Sequence, residues 1–238
     1  MKKEIILKNG LKADIRPLDY AELGQAADLH HRVYEALPED QKAFVLPKSL
    51  QDFEDIANEG GMVLGAIIDG QLVGIAAMRM PDERAPETGL AYAPEAVALN
   101  KLVILQGTVV DPAFQGFALQ QELIEARIAI AYAQGREYAM SEVEKENYAS
   151  LKSLMKRGFH VESAVIDPRD QAAVFSLGLS LKQRFQKADE AGRAEYADKK
   201  LQKLPLAQFN AVGKVLAEGG RGVALEQAED GIQLIIKL

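Results

Sequence analysis

The chain has no cysteine and no tryptophan, and only three of its 238 residues are histidine. Without cysteine there is no disulfide, no thiolate metal site and no cysteine nucleophile. Positive charge is also scarce: 28 Lys and Arg face 35 Asp and Glu, for a net charge of −7 and a pI near 5.2. A nucleic-acid surface needs a basic face, so that class of partner is not expected. Long apolar runs are missing too. After the charged start Met1-Lys2-Lys3-Glu4, only Ile5-Ile6-Leu7 precede Lys8, far too few for a signal peptide core or a membrane span. These absences predict a cytoplasmic protein with no membrane, nucleic-acid or metal partner. With 48% hydrophobic residues, the chain can still bury a full core.

The stretch Val109-Val110-Asp111-Pro112-Ala113-Phe114-Gln115-Gly116-Phe117-Ala118-Leu119-Gln120 organises the rest. Leu102 to Val110 is apolar and β-branched and stops at Asp-Pro, which predicts a strand. From Ala118, the residues Leu119, Leu123, Ala126, Ile130 and Ala133 recur at three- and four-residue steps, which predicts one face of a helix. A turn between the two leaves the first N–H groups of the helix without partners, at the positive end of its dipole. That is a backbone anion site suited to phosphate. A glycine between a strand and a helix also serves simple packing, so this stretch alone leaves both readings open.

Downstream, Glu142 to Phe159 reads as a strand end, Asn147 at a helix start, a helix carrying Ser150, and Gly158-Phe159 leading into another strand. The two stretches together resemble the GNAT superfamily of acyl-CoA-dependent N-acetyltransferases. The resemblance implies that the amides of Gln115, Gly116, Phe117, Ala118, Leu119 and Gln120 hold the pyrophosphate of acetyl-CoA, and that Asn147 and Ser150 flank its pantetheine arm. It also implies that amides near Val109 and Val110 polarise the thioester carbonyl. Gln115 matches the first position of the family motif; Ala118 replaces the usual Gly, and Gln120 stands where a small residue is usual. The family's thiolate-protonating Tyr would fall near Leu154, and its frequent strand glutamate is replaced by Ile104, Leu105 and Gln106.

Asn9-Gly10 predicts a hairpin between runs 4–9 and 11–17. The run Ala13-Asp14-Ile15-Arg16-Pro17-Leu18 leads to Asp19, a cap for a helix over 20–36; GNAT chains often open in this way. On that helix His30 and His31 cannot share a face, so they are not a paired metal site. The plain reading is one half-buried and one solvated. Because the family's first two helices line the acceptor side, His30, His31 and Tyr34 are also candidate substrate contacts. Leu37-Pro38 ends the helix, residues 39–47 read as a polar loop, and Ser49 caps a helix through Asn58. Asp69-Gly70 joins the apolar runs 62–68 and 71–78 in a second hairpin, both arms of which look covered on two faces. Residues 81–100 read as an excursion, either a surface loop or a lid, with a short helix from Pro94 to Asn100.

No carboxylate on the predicted cofactor strand can serve as a base. Glu142 and Glu144, two apart on the next strand and so on one face, are the candidates; solvated surface charge is the competing reading. After Phe159, a strand pair turns at Asp167-Pro168-Arg169-Asp170. The resemblance covers about residues 1–181. Beyond it, a charged helix over 181–203, a second helix over 206–218 ending at Gly219-Gly220, and a hairpin around Ala228-Glu229-Asp230-Gly231 are predicted. This extension, 182–238, has too little apolar surface to fold alone; it would dock on the main domain or on another subunit, the latter making a homodimer.

The sequence thus predicts an α/β chain with the GNAT acyl-CoA N-acyltransferase fold, a mixed central sheet flanked by helices, plus a C-terminal helix-helix-hairpin extension. The function implied is acetyl transfer from acetyl-CoA to a primary amine of a small-molecule acceptor. A GNAT-fold binding or regulatory module without catalysis is the alternative, consistent with the altered loop and the missing Tyr and Glu.

Overall fold

The computed structural model describes residues 2–82, 97–167, 171–186, 201–229 and 231–238. Most of the 81–100 excursion and the turn at 168–170 lie outside them. The described chain forms two compact units, Met1–Ala139 and Met140–Leu238.

In the first unit, strands β1 (Lys3–Ile6), β2 (Lys12–Pro17), β3 (Met62–Ile68), β4 (Gln71–Arg79) and β5 (Leu102–Val110) pair in sequence order, each antiparallel to the next. The β1–β2 turn is closed by the Leu7 N–H donating to the Leu11 carbonyl at 2.8 Å, and the Leu11 N–H reaches Asn9 Oδ1 at 3.2 Å. Asp69-Gly70 makes the β3–β4 turn, with both residues at positive φ.

Helices cover both faces of this sheet. Helix α1 (Leu23–Glu35) buries Leu23, Ala26, Leu29, His30 and Val33, the three- and four-residue steps of one stripe. It starts later than its sequence suggests, because Tyr20–Glu22 form a separate 3₁₀ turn. The expected loop 39–47 contains one helical turn, α2 (Glu39–Lys42), begun by the fixed φ of Pro38 and carrying Glu39 and Asp40 at its positive end. Helix α3 (Leu50–Asn58) starts where Ser49 predicts: its hydroxyl accepts the Asp52 N–H at 3.3 Å. Leu23, Ala26, Leu29, Val33, Phe53 and Ile56 close over Val63, Ile75, Ala77 and Val109 in one core. The opposite face carries α4 (Leu119–Ala133), whose Leu119 and Leu123 come within 3.4 Å of where a side chain on Gly74 would begin.

The second unit orders its strands β6 (Tyr138–Glu144), β8 (Ala173–Ser180), β7 (His160–Ile166), β10 (Arg221–Ala228), β11 (Gly231–Lys237) and β9 (Leu201–Pro205). Helices α5 (Tyr148–Lys156), α6 (Leu181–Gln186) and α7 (Phe209–Ala217) complete it. Sequence spacing predicts one helix over 181–203; α6 fits its start, residues 187–200 of it lie outside the described residues, and its end is overturned, because Leu201–Pro205 is a strand paired antiparallel with β11. Leu201 and Leu204 fit a helical period, but the β11 backbone supplies bonds a local pattern cannot reveal. From residue 201 on, the described C-terminal segment is therefore strand, helix and hairpin, and β10 joins β7 antiparallel at Gly222 and Val161. Of the predicted 94–100 helix, the described residues show only a 3₁₀ turn at Leu99–Lys101.

Candidate functional site

The loop between β5 and α4 is held at both ends. Asp111 donates its N–H to the Val73 carbonyl at 2.9 Å, and its carboxylate accepts the Ala113 N–H at 3.0 Å. Arg32 of α1 lies 3.4 Å from the other Asp111 oxygen. The Gln115 side chain turns back and donates to the Val110 carbonyl at 3.0 Å, so this first motif position fastens the loop to the end of β5. Gly116 then takes φ +81° with nothing within 4 Å of where a Cβ would stand, and Ala118 takes φ +70°. An L-residue pays about 1–2 kcal/mol for that left-handed conformation, which explains physically why glycine is usual where Ala118 stands. The result is a run of N–H groups, from Gly116 through Phe117 and Ala118 to Leu119, none with a hydrogen-bond partner among the described residues. They open on the N-terminus of a 15-residue helix. Gln120 follows, half-buried on its first turn.

On β5 the ladder to β4 slips between Gln106 and Thr108, leaving Gly107 as a bulge at φ +27°. Antiparallel ladders alternate, and Asp111 bonds Val73; the Val109 N–H therefore faces Ile75 on β4, and the Val110 N–H points away from β4. From the α4 side, Arg127 grips the bulge. Its guanidinium donates to the Ala77 carbonyl at 2.9 Å, the Gln106 carbonyl at 3.1 Å and Thr108 Oγ1 at 2.8 Å. Burial lowers its pKa to about 9, so it stays charged at neutral pH.

On the α3 side, the Lys48 chain approaches the same bulge, its Cε 3.4 Å from where a Cβ on Gly107 would stand. Arg79, at the end of β4, donates to Gln106 Oε1 at 3.2 Å and pairs with Glu59. His30 is buried against Phe53, with ring centroids 6.0 Å apart, and its Nδ1 has no partner among the described residues. Desolvation holds its pKa down at about 4, Lys48 and His31 lowering it and Asp52 opposing, so the ring is neutral.

The other residues singled out in the sequence fall as follows. His31 is exposed on α1, and Tyr34 is half-buried with the Lys42 ammonium 5.6 Å above its ring. Glu142 and Glu144 share the more open face of β6. Asn147 caps α5, its Oδ1 accepting the Ser150 N–H at 3.1 Å. Leu154 is buried at the family's tyrosine position. A cleft of about 500 Å³ in the second unit, lined by Lys145, Phe209 and Asn210 among others, contains none of these candidates. Lys48, Arg79 and Arg127 carry no sequence motif, although Gln106-Gly107 inside an apolar run is a bulge signal.

The loop fits a pyrophosphate: four amides at a helix start, reached through a glycine with open space beside it, need no side-chain charge to bind an anion. Comparison with known proteins gives the family. The family model described as Acetyltransferase (GNAT) family matches residues 30–159. The GNAT domain of S. lividans PAT superposes with a TM-score of 0.55 at 18% identity, covering 75% of this chain and 97% of that one. An N-acetyltransferase from Staphylococcus aureus Mu50 gives 0.53 at 16%, covering 71% and 99%. AAC(6')-Ib, solved in complex with paromomycin and acetyl-CoA, gives 0.56 at 12%, covering 76% and 99%. No curated protein sequence matches the chain. With more than half of its length matched by the family model, the chain belongs to the GNAT family of acyl-CoA-dependent N-acetyltransferases.

Proposed function

We propose that the protein transfers an acetyl group from acetyl-CoA to the primary amine of a small-molecule acceptor. The observation that carries this reading is the run of amides from Gly116 to Leu119 at the start of α4, without partners among the described residues. Those four residues, with Gln115 fastening the loop and Gln120 beside it, would hold the pyrophosphate. Acetyl-CoA supplies a thioester: the N–C bond forms as the C–S bond breaks, sulfur keeping the electron pair and taking up, through solvent, the proton that nitrogen gives up. The Val110 N–H, free of β4, is the donor we assign to the thioester carbonyl; Val109 holds the strand in place. Asn147 and Ser150 are proposed for the pantetheine arm on the resemblance to the family, and Glu142 or Glu144 for deprotonating the amine on their shared face of β6, in place of the family's missing strand glutamate. AAC(6')-Ib was solved with an aminoglycoside, and the acceptor here is likewise proposed to be a small amine.

Calorimetric titration with acetyl-CoA tests the cofactor site, with Gly116→Pro beside it, since proline can neither donate nor take φ +81°. Micromolar binding that Gly116→Pro abolishes supports the reading. No heat at millimolar acetyl-CoA would point instead to a binding or regulatory module on the same fold.

A further inference from the structure

The bulge of β5 is flanked by two cations of unequal standing. Arg79 is neutralised by Glu59 and engaged by Gln106. Lys48 is half-buried, lies against Gly107, and makes no hydrogen bond or ion pair within 4 Å among the described residues. The carboxylate acting on both cations, Asp52, is spent on its own helix: its Oδ2 accepts the Ser49 N–H and hydroxyl, both at 2.6 Å. Next to them the buried His30 Nδ1 also has no partner among the described residues. Partly desolvated polar groups without partners cost free energy that a bound anion recovers. One ammonium and one neutral ring nitrogen match a singly charged oxyanion; a phosphate dianion would leave charge uncompensated.

We propose that the acceptor is a free amino acid: Lys48 receives its carboxylate, and the reacting amine is thereby set beside the β5 bulge. This rests on the acetyl-transfer reading above and narrows its acceptor. Burial disfavours the Lys48 ammonium, Asp52 partly restores it and Arg79 opposes it again, so its charge is strained in the direction an anion relieves. The acidic net charge of the whole chain does not oppose this, because a pocket is read by its own lining.

The test uses the full-length protein and matched pairs: the common L-amino acids and their C-terminal amides, which keep the amine and lose the carboxylate. Calorimetry in the presence of desulfo-CoA reads binding without chemistry, and thiol release from acetyl-CoA reads transfer. We expect at least one acid to bind about tenfold tighter than its amide. Lys48→Met should bring that acid down to the level of its amide, while Lys48→Arg keeps most of the preference. Thermal unfolding of each variant separates misfolding from lost recognition. Amides that bind and react as well as acids, a preference that survives in Lys48→Met, or no binding by any acid would each overturn the proposal. None of these outcomes touches acetyl-CoA binding at the loop, whose failure would show separately in the acetyl-CoA titration.

Discussion

Arg127 of α4 donates to the Gln106 carbonyl at 3.1 Å across the β5 bulge, and the same guanidinium reaches the Ala77 carbonyl on β4 at 2.9 Å. A fully buried cation whose acceptors among the described residues are all neutral is costly to keep, so it persists where it fixes backbone that has lost its regular ladder. Arg127→Met would leave both carbonyls without this donor and should destabilise the protein by about 2–4 kcal/mol. Arg127→Lys, which cannot span the fork, should recover part of that. Acetyl-CoA affinity at the loop should change little in Arg127→Lys while the transfer rate falls. Denaturant unfolding, calorimetry and thiol release measured on the two variants check this, and a rate unaffected in Arg127→Lys would reduce the contact to packing.

Much of this fold was legible because its signals are local. Asn9-Gly10 and Asp69-Gly70 set their turns, Ser49 sets the start of α3, and the apolar run Leu102 to Val110 sets β5. β9 was not legible, since its strand depends on a partner more than 25 residues away in sequence. The loop was legible through Gln115 and Gly116, but not the reason it tolerates Ala118, which is a φ angle. Arg127 could have been found: it stands four residues after Leu123 on the apolar side of its helix, where a charge needs explaining. Lys48 could not, because it follows an irregular segment whose path no pattern encodes.

Ala118 holds φ +70° with a Cβ that prefers otherwise. Ala118→Gly should remove about 1 kcal/mol of strain, partly offset by the extra freedom of glycine in the unfolded chain. The net expectation is a gain of a few tenths of a kcal/mol, at most about 0.6, with acetyl-CoA binding at least as tight as in the parent. Thermal unfolding and calorimetry on one variant suffice. A loss of stability would mean the Ala118 methyl contributes packing that outweighs its strain.

His30 gives a pH dependence of definite sign. Its pKa is about 4 in the folded protein against an ordinary 6.5, so the unfolded chain binds more protons between those values. Stability from this residue is therefore complete above pH 6.5 and falls as pH drops toward 4, by up to about 3 kcal/mol. The groups facing it are Phe53, Lys48, Asp52 and His31. His30→Gln should flatten the stability curve between pH 6.5 and 4 relative to the parent. Parallel slopes in the two proteins would show that His30 is solvated enough to charge freely.

Asn147 has two roles that one pair of variants can separate. Its Oδ1 accepts the Ser150 N–H at 3.1 Å and caps α5, so Asn147→Ala should cost about 1 kcal/mol. Asn147→Asp keeps an accepting oxygen at the positive end of the helix, and its stability should lie within about 0.5 kcal/mol of the parent. What the aspartate loses is the amide's pair of donors, the part of Asn147 left over after capping and the part proposed to meet the cofactor's arm. Acetyl-CoA should therefore bind Asn147→Asp roughly tenfold more weakly at unchanged stability. Equal affinity in the parent and Asn147→Asp would make Asn147 a helix cap alone and remove it from the cofactor site.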